Sequence, residues 1–361
     1  MNRLEERYRR VLRLLPASYR GVWEEDMVAT FLASVATDDR EEAEYLADFG
    51  RPSWPEVFSI VALAIRLRIG SAGAPPRYAA WSEAIRLSVL TGMLVNAATS
   101  TVDAVITLWQ AGMIPLLPAP VMLEPPGYPD AWHRVHLFAV LAGLLWLPAF
   151  VALVSGRWAA TRWLGSAAAT TAGSAVVTVV VTGQRMPGEV WYTIIINVLL
   201  VLALAALHPG APKVDRRSWL GALGVGTLLF AAYAWLLSRP SAPLPPLDWA
   251  GLECVVVVAV VAVHLAGRAL RWWGRFPVWT LTLAIIAFAV LGQRLVALTD
   301  YARFGTAGWH PATVGLGIAE AAAVGAAAIV LALLSARALR RLSAAAADAD
   351  AWSTTPSPPT R

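Results

Sequence analysis

The feature that most limits the fold of this chain is a train of long apolar runs that starts at residue 84 and continues to about 335, broken only by short polar stretches. One helix needs about 20 apolar residues to cross the hydrocarbon of a bilayer. Eight such runs can be read, at about 84–110, 134–154, 163–183, 190–207, 218–237, 249–267, 277–299 and 313–335. Composition agrees: 58% of the 361 residues are hydrophobic and only 15% are charged, where a soluble domain carries about 25% charged residues. The expected fold is all-α. It is a polytopic membrane protein of about eight transmembrane helices in four hairpins, with a small N-terminal cytoplasmic helical domain. Short repeated motifs suggest the hairpins: Trp163-Leu-Gly165 and Trp219-Leu-Gly221 open alternate helices, and Arg268-Ala-Leu-Arg271 and Arg337-Ala-Leu-Arg340 close them.

Arginines set the expected orientation. The breaks after the second, fourth and sixth helices hold Arg157 and Arg162, then Lys213, Arg216 and Arg217, then Arg268, Arg271 and Arg275, while Arg337, Arg340 and Arg341 follow the eighth. The alternate breaks hold Arg185, Arg239 and Arg303, one each. The positive-inside rule then places both termini in the cytoplasm of a cell-membrane protein. The net charge of +5 is spread over these helix ends, which fits topology and the lipid bilayer as partner, not nucleic acid. Tryptophans such as Trp81, Trp109, Trp163, Trp191, Trp249 and Trp279 stand near helix ends, where an interfacial belt forms. The first ten residues lack the apolar core of a secretory signal, and the single cysteine, Cys254, excludes an intrachain disulfide.

Half of the 24 acidic residues precede residue 80, so a polar head is set off from the apolar body. Leu4, Tyr8, Val11, Leu12 and Leu15 recur on one helical face up to Pro16. Tyr19, Trp23, Met27 and Phe31 do so in a second segment, and Asp38 to Tyr45 reads as a short third. Ser53 with Glu56 three residues later has the form of a capping box opening a fourth. The expected divisions are a cytoplasmic helical domain at 1–70, a linker at 71–83, the transmembrane domain at 84–335 and a disordered cytoplasmic tail at 342–361.

Polar residues inside apolar helices are costly and mark candidate sites. Asn96, Thr99, Ser100, Asp103, Thr107 and Gln110 share one face of the first membrane helix. Arg294, beside Gln293, lies in the seventh and Glu320 in the eighth. With the expected orientation, Asp103, Arg294 and Glu320 fall in the same outer half of the membrane. Arginine stays charged and needs a carboxylate, so Asn96, Asp103, Arg294 and Glu320 form a candidate intramembrane polar cluster. Its plainer reading is an ion pair or triad locking helices; its sharper one is a ligand or ion site. Asp130, His133 and His136 recur every three residues, a spacing able to face a metal. Three candidates in a proline-rich loop fall short of a metal site, and no cofactor is expected. Glu253, Cys254 and His264 read as packing or interface residues. The small residues Gly315, Ala319, Ala323 and Ala327, and Gly165, Ala169 and Gly173, form ridges suited to close helix packing.

No phosphate-binding loop, HExxH or GxSxG sequence occurs, so a non-enzymatic role is expected. In the head, Tyr8-Arg-Arg-Val-Leu-Arg-Leu-Leu-Pro16, Trp23-Glu-Glu-Asp-Met27 and Phe49-Gly-Arg-Pro52 carry a family resemblance. The first 70 or so residues resemble the HAAS-type and permease-prefix helical domains of bacterial membrane proteins. The resemblance implies a cytoplasmic module that serves sensor, regulator or permease functions, and it carries no catalytic residues. The leading expectation is a multi-pass membrane protein in signalling or regulation, with a cytoplasmic protein partner bound through residues 1–70. A transporter moving a small solute along the polar face of the first membrane helix is the alternative, and an intramembrane enzyme using outer carboxylates is a third.

Overall fold

The computed structural model describes residues 3–36, 39, 41, 45, 48–68, 76–110, 112–114, 140–182, 188–206, 214–237, 247–270, 277–305 and 312–353. All regular structure among them is helical. The chain divides into two compact units, Met1–Glu83 with Ala336–Arg361, and Ala84–Ser335.

In the first unit, α1 (Arg3–Leu12), α2 (Ala17–Val35) and α3 (Trp54–Arg68) gather around one apolar cluster. Leu4, Tyr8 and Leu12 recur at four-residue steps, so α1 turns one stripe inward. Tyr8 stacks on Phe31 of α2 with ring centroids 4.0 Å apart, and Ile60 and Ala64 of α3 complete the cluster. The α1–α2 break falls at Pro16, which has no N–H to continue α1. The capping motif is put to a divided use. Ser53 Oγ accepts the Glu56 backbone N–H at 3.4 Å, while the Glu56 carboxylate accepts the Tyr8 hydroxyl at 3.1 Å and ties α3 to α1. Burial and the adjacent Glu56 charge push the Tyr8 phenol up to about 12. On the outer surface Arg9 reaches Glu5 and Glu25, and its guanidinium holds the Glu25 carboxyl below the usual range.

Eight helices lie in or enter the second unit: α4 (Pro76–Gln110), α5 (Trp146–Val154), α6 (Trp158–Thr182), α7 (Gly188–Ala206), α8 (Arg216–Leu237), α9 (Trp249–Ala269), α10 (Pro277–Phe304) and α11 (Thr313–Ser353). Five stretches are long and apolar enough to cross a membrane: Arg77–Trp109, Arg216–Leu236, Trp249–Ala269, Val278–Phe304 and Thr313–Ala344. Val140–Val154 and Gly188–Leu204 are shorter apolar helices. The first is broken at Leu144–Leu145, just ahead of Pro148, whose ring opposes the carbonyl four residues earlier. Large apolar side chains such as Leu202, Val225, Leu228 and Val263 stand exposed, as a lipid-facing surface requires.

Close approach joins α5 to α6, α6 to α7, α7 to α10 and α9 to α10. Of the expected hairpin pairs, α6–α7 is among these. A left-handed Gly156 turns α5 into α6, and Gly165 lets Leu204 of α7 approach to 3.1 Å of where a Cβ would stand. The ridge expected on α11 does not pack inward. Gly315, Ala319 and Ala323 are exposed, whereas Thr313, Gly317, Glu320, Val324 and Ala328 form the buried face.

Two expected boundaries move. Residues 76–83, assigned to the linker, are the start of α4, because proline is well suited to the first helical turn. Residues 342–353, assigned to a disordered tail, continue α11; Ala344 to Ala347 are the best of helix formers and nothing there stops the helix. The short helix expected from Asp38 falls mostly outside the described residues.

Candidate functional site

The second unit carries two polar constellations that sequence reasoning had merged into one. The first is centred on Arg294 of α10, a fully buried side chain. Its Nη1 donates to Asp248 Oδ2 at 2.5 Å. Its Nη2 lies 2.8 Å from Glu320 Oε2 of α11, a contact of charges without hydrogen-bond alignment, since Nη2 and both Glu320 oxygens lack hydrogen-bond partners among the described residues. Asp248 is the better satisfied carboxylate. It caps α9 by accepting the Gly251 N–H at 2.6 Å, and it also accepts the Tyr301 hydroxyl. Two glycines shape the socket. A Cβ on Gly251 would stand 2.8 Å from Asp248 and 2.9 Å from Glu320, and one on Gly317 would collide with the Arg294 guanidinium. A parallel device lies on the same helix: Asp300 of α10 accepts the Gly188 and Glu189 N–H groups at 2.9 and 3.0 Å, capping α7.

The second constellation is a cavity of about 910 Å³ that follows α4 from Ile85 to Ile106. At ~1.5 Å per residue these positions are about 31 Å apart, close to the whole ~30 Å of hydrocarbon. The lining positions of α4 recur at three- and four-residue steps, so one face of the helix looks into the space. Midway, Asn96 Nδ2 donates to Asn197 Oδ1 of α7 at 3.3 Å. Asp103, Glu253 of α9 and Gln293 of α10 line it further toward the Gln110 end of α4, and the Gln293 side chain hydrogen-bonds Glu253. Tyr192, Phe230 and Trp249 stand at that same end. The opposite end is lined by Ile85, Val89, Leu200, Ala203 and Ile285 with Ser88 and Thr91 among them, whose hydroxyls donate to the Ala84 and Leu87 carbonyls.

Of the four residues of the expected cluster, the structure brings Arg294 and Glu320 together, whereas Asp103 and Asn96 line the cavity. Three polar participants were missed. Asp248 sits one residue ahead of the predicted helix at 249, where an aspartate is a strong N-cap signal. Asn197 is a lone amide within an apolar run, itself a signal in a membrane helix. Glu253, which reads from the sequence as a packing or interface residue, lines the cavity. Much of the hydroxyl stripe on α4 is satisfied internally: Thr99 donates to the Val95 carbonyl and Ser100 to that of Asn96, which removes these groups from demand without a ligand. The Gln110 side chain and the weak metal candidates Asp130, His133 and His136 lie outside the described residues. Cys254 is buried, and His264 Nε2 lies 3.1 Å from Thr280 Oγ1 at the far end of α9.

Compared with known proteins, the chain matches no protein-family model, no curated protein and no solved structure.

Proposed function

We propose that this chain is a non-enzymatic membrane protein that binds a small amphipathic molecule in the cavity along α4, in signalling or regulation. The observation that carries the reading is the cavity itself: a space running along most of one membrane helix, with its carboxylates toward one end and no ionisable side chain around Ile85 at the other. Binding sites are commonly concave, mostly apolar and furnished with a few placed polar groups. The ion cluster beside it supports a fixed wall: Arg294, Asp248 and Glu320 join α9, α10 and α11.

In this reading all eight helices of the second unit cross the bilayer and both termini are cytoplasmic, as the arginine distribution supports. The first unit is a HAAS-like partner-binding module. Covalent continuity supports communication with it, because the chain passes between the units inside helices, at 83/84 within α4 and at 335/336 within α11. Transport through the same cavity is the second reading, and its length along α4 is what favours it.

Thiol accessibility tests both. In a Cys254→Ser background, Ser100→Cys toward the carboxylate end and Ser88→Cys toward the Ile85 end are exposed to a membrane-impermeant charged thiol reagent in sealed vesicles of either orientation. Binding without transport predicts labelling of Ser100→Cys from one side only. Labelling of the two positions from opposite sides would favour transport. No labelling of either, even with a permeant reagent, would remove the ligand-site reading.

A further inference from the structure

We infer that α3 docks on the surface of an anionic bilayer, its outer aromatic face set among the lipid head groups; the inference concerns the first unit alone and stands whatever the cavity binds. Trp54, Phe58, Val61 and Ile65 recur at four- and three-residue steps, which places them on one face of α3. That face is not the one turned toward α1 and α2, which Ile60 and Ala64 supply. Trp54 and Phe58 are 73% and 64% exposed, and their rings are neighbours, with centroids 6.0 Å apart. Phe49, just ahead of the helix, is exposed as well. Isolated exposed rings are ordinary on a protein surface, whereas neighbouring ones on a helix that is apolar on two sides mark a docking face.

Three features choose lipid as the cover. Tryptophan sits well at head-group level, where its ring is half in apolar and half in wet surroundings. Charge favours an anionic surface. After Asp48 the charged residues up to the end of α3 are Arg51, Glu56, Arg66 and Arg68. Glu56 is engaged by the Tyr8 hydroxyl on the side of α1, so the charges left around the aromatic face are basic. Arginines beside an apolar helix face draw it to anionic head groups. Reach is the third feature. Only residues 69–75 separate α3 from α4, and α4 holds the apolar stretch Arg77–Trp109, long enough to cross a membrane. A link of that length spans at most about 30 Å when fully extended, so a lipid surface is always within range of α3. The outer surface of α1, where Arg9 and Arg10 pair with Glu25 and Glu6, is charged with both signs and is left to a protein partner.

The test uses the full chain carrying Cys254→Ser, spin-labelled at Phe58→Cys or at Val61→Cys, the second of which keeps both rings in place. Arg10→Cys, on the exposed side of α1, serves for comparison. Each is placed in nanodiscs of phosphatidylcholine alone and of equal parts phosphatidylcholine and phosphatidylglycerol. Collision of the label with oxygen, which concentrates in lipid, is compared with collision with a water-soluble nickel chelate. In the mixed-lipid discs both α3 positions are expected to favour oxygen over chelate severalfold more than position 10 does. The excess should be smaller in phosphatidylcholine alone, and Arg66→Gln joined to Arg68→Gln should remove that difference between the two lipids. Equal oxygen preference at positions 10, 58 and 61 would overturn the docking and leave the face free for a protein. Protection of 58 and 61 from oxygen and chelate alike would also overturn it, since the cover would then be protein from the same chain. An excess that is the same in both lipid mixtures would overturn the anionic surface as the partner.

Discussion

Asp248 holds three donors at once, from Arg294, Tyr301 and the Gly251 backbone, whereas Glu320 offers Arg294 charge alone. The two carboxylates should therefore behave differently on neutralisation. Asp248→Ala leaves a buried guanidinium poorly paired and is expected to cost about 3–5 kcal/mol. Glu320→Gln leaves Arg294 still hydrogen-bonded to Asp248 and keeps an isosteric partner, so it should cost clearly less than Asp248→Ala. Thermal melts in detergent, completed by Arg294→Gln and the double variants, check this: strong coupling of Arg294 to Asp248 and weak coupling to Glu320 is the expected pattern. Gly317→Ala should also destabilise, by about 1–3 kcal/mol, because the new methyl displaces the guanidinium. Gly315→Ala, with open space around it, should be neutral or slightly stabilising. That Arg294 needs a carboxylate, with Glu320 and Asp103 as the candidates, was legible because all three lie within strong apolar runs whose direction could be followed. Asp248 was not, because its role depends on where a helix begins to within one residue, and sequence patterns fix such ends poorly.

Among the elements, α10 is the helix on which others are hung. It supplies Arg294 to α9 and α11, Asp300 to the start of α7, and the Ala289 carbonyl to Tyr192. Its apolar periodicity was plain in the sequence, and so were α4, α8, α9 and α11, since a long apolar run leaves few other readings. Helix boundaries were less plain: α4 starts earlier and α11 ends later than hydropathy suggests, because polar helix formers continue a helix as well as apolar ones do. In the head, α1 and α3 are joined by Tyr8 and Glu56. The folded state favours the neutral phenol, raising it from 10.0 to about 12. The contribution is thus complete below pH 10 and is lost as pH rises toward about 12. Ultraviolet difference titration of the native chain against Tyr8→Phe should show the missing phenolate step near 12; a step near 10 would mean that Tyr8 is not held as described.

For the whole molecule, the ion cluster also sets an order of events during synthesis. Asp248, Arg294 and Glu320 leave the ribosome in that sequence, and the socket around the guanidinium needs Gly317 from the last helix. Until α11 arrives, the nascent chain holds a buried cation whose cavity wall is open, along with the uncovered faces of Cys254 and Ala287 that Val324 and Ala328 later meet. A chain ended at Gly305 should accordingly be short-lived in cells, by pulse-chase, and co-expression of residues 306–361 as a separate polypeptide should lengthen its life. The same fragment carrying Gly317→Ala should fail to do so. The final helix would then act as a latch, and a frameshift anywhere ahead of it would mark the whole product for removal.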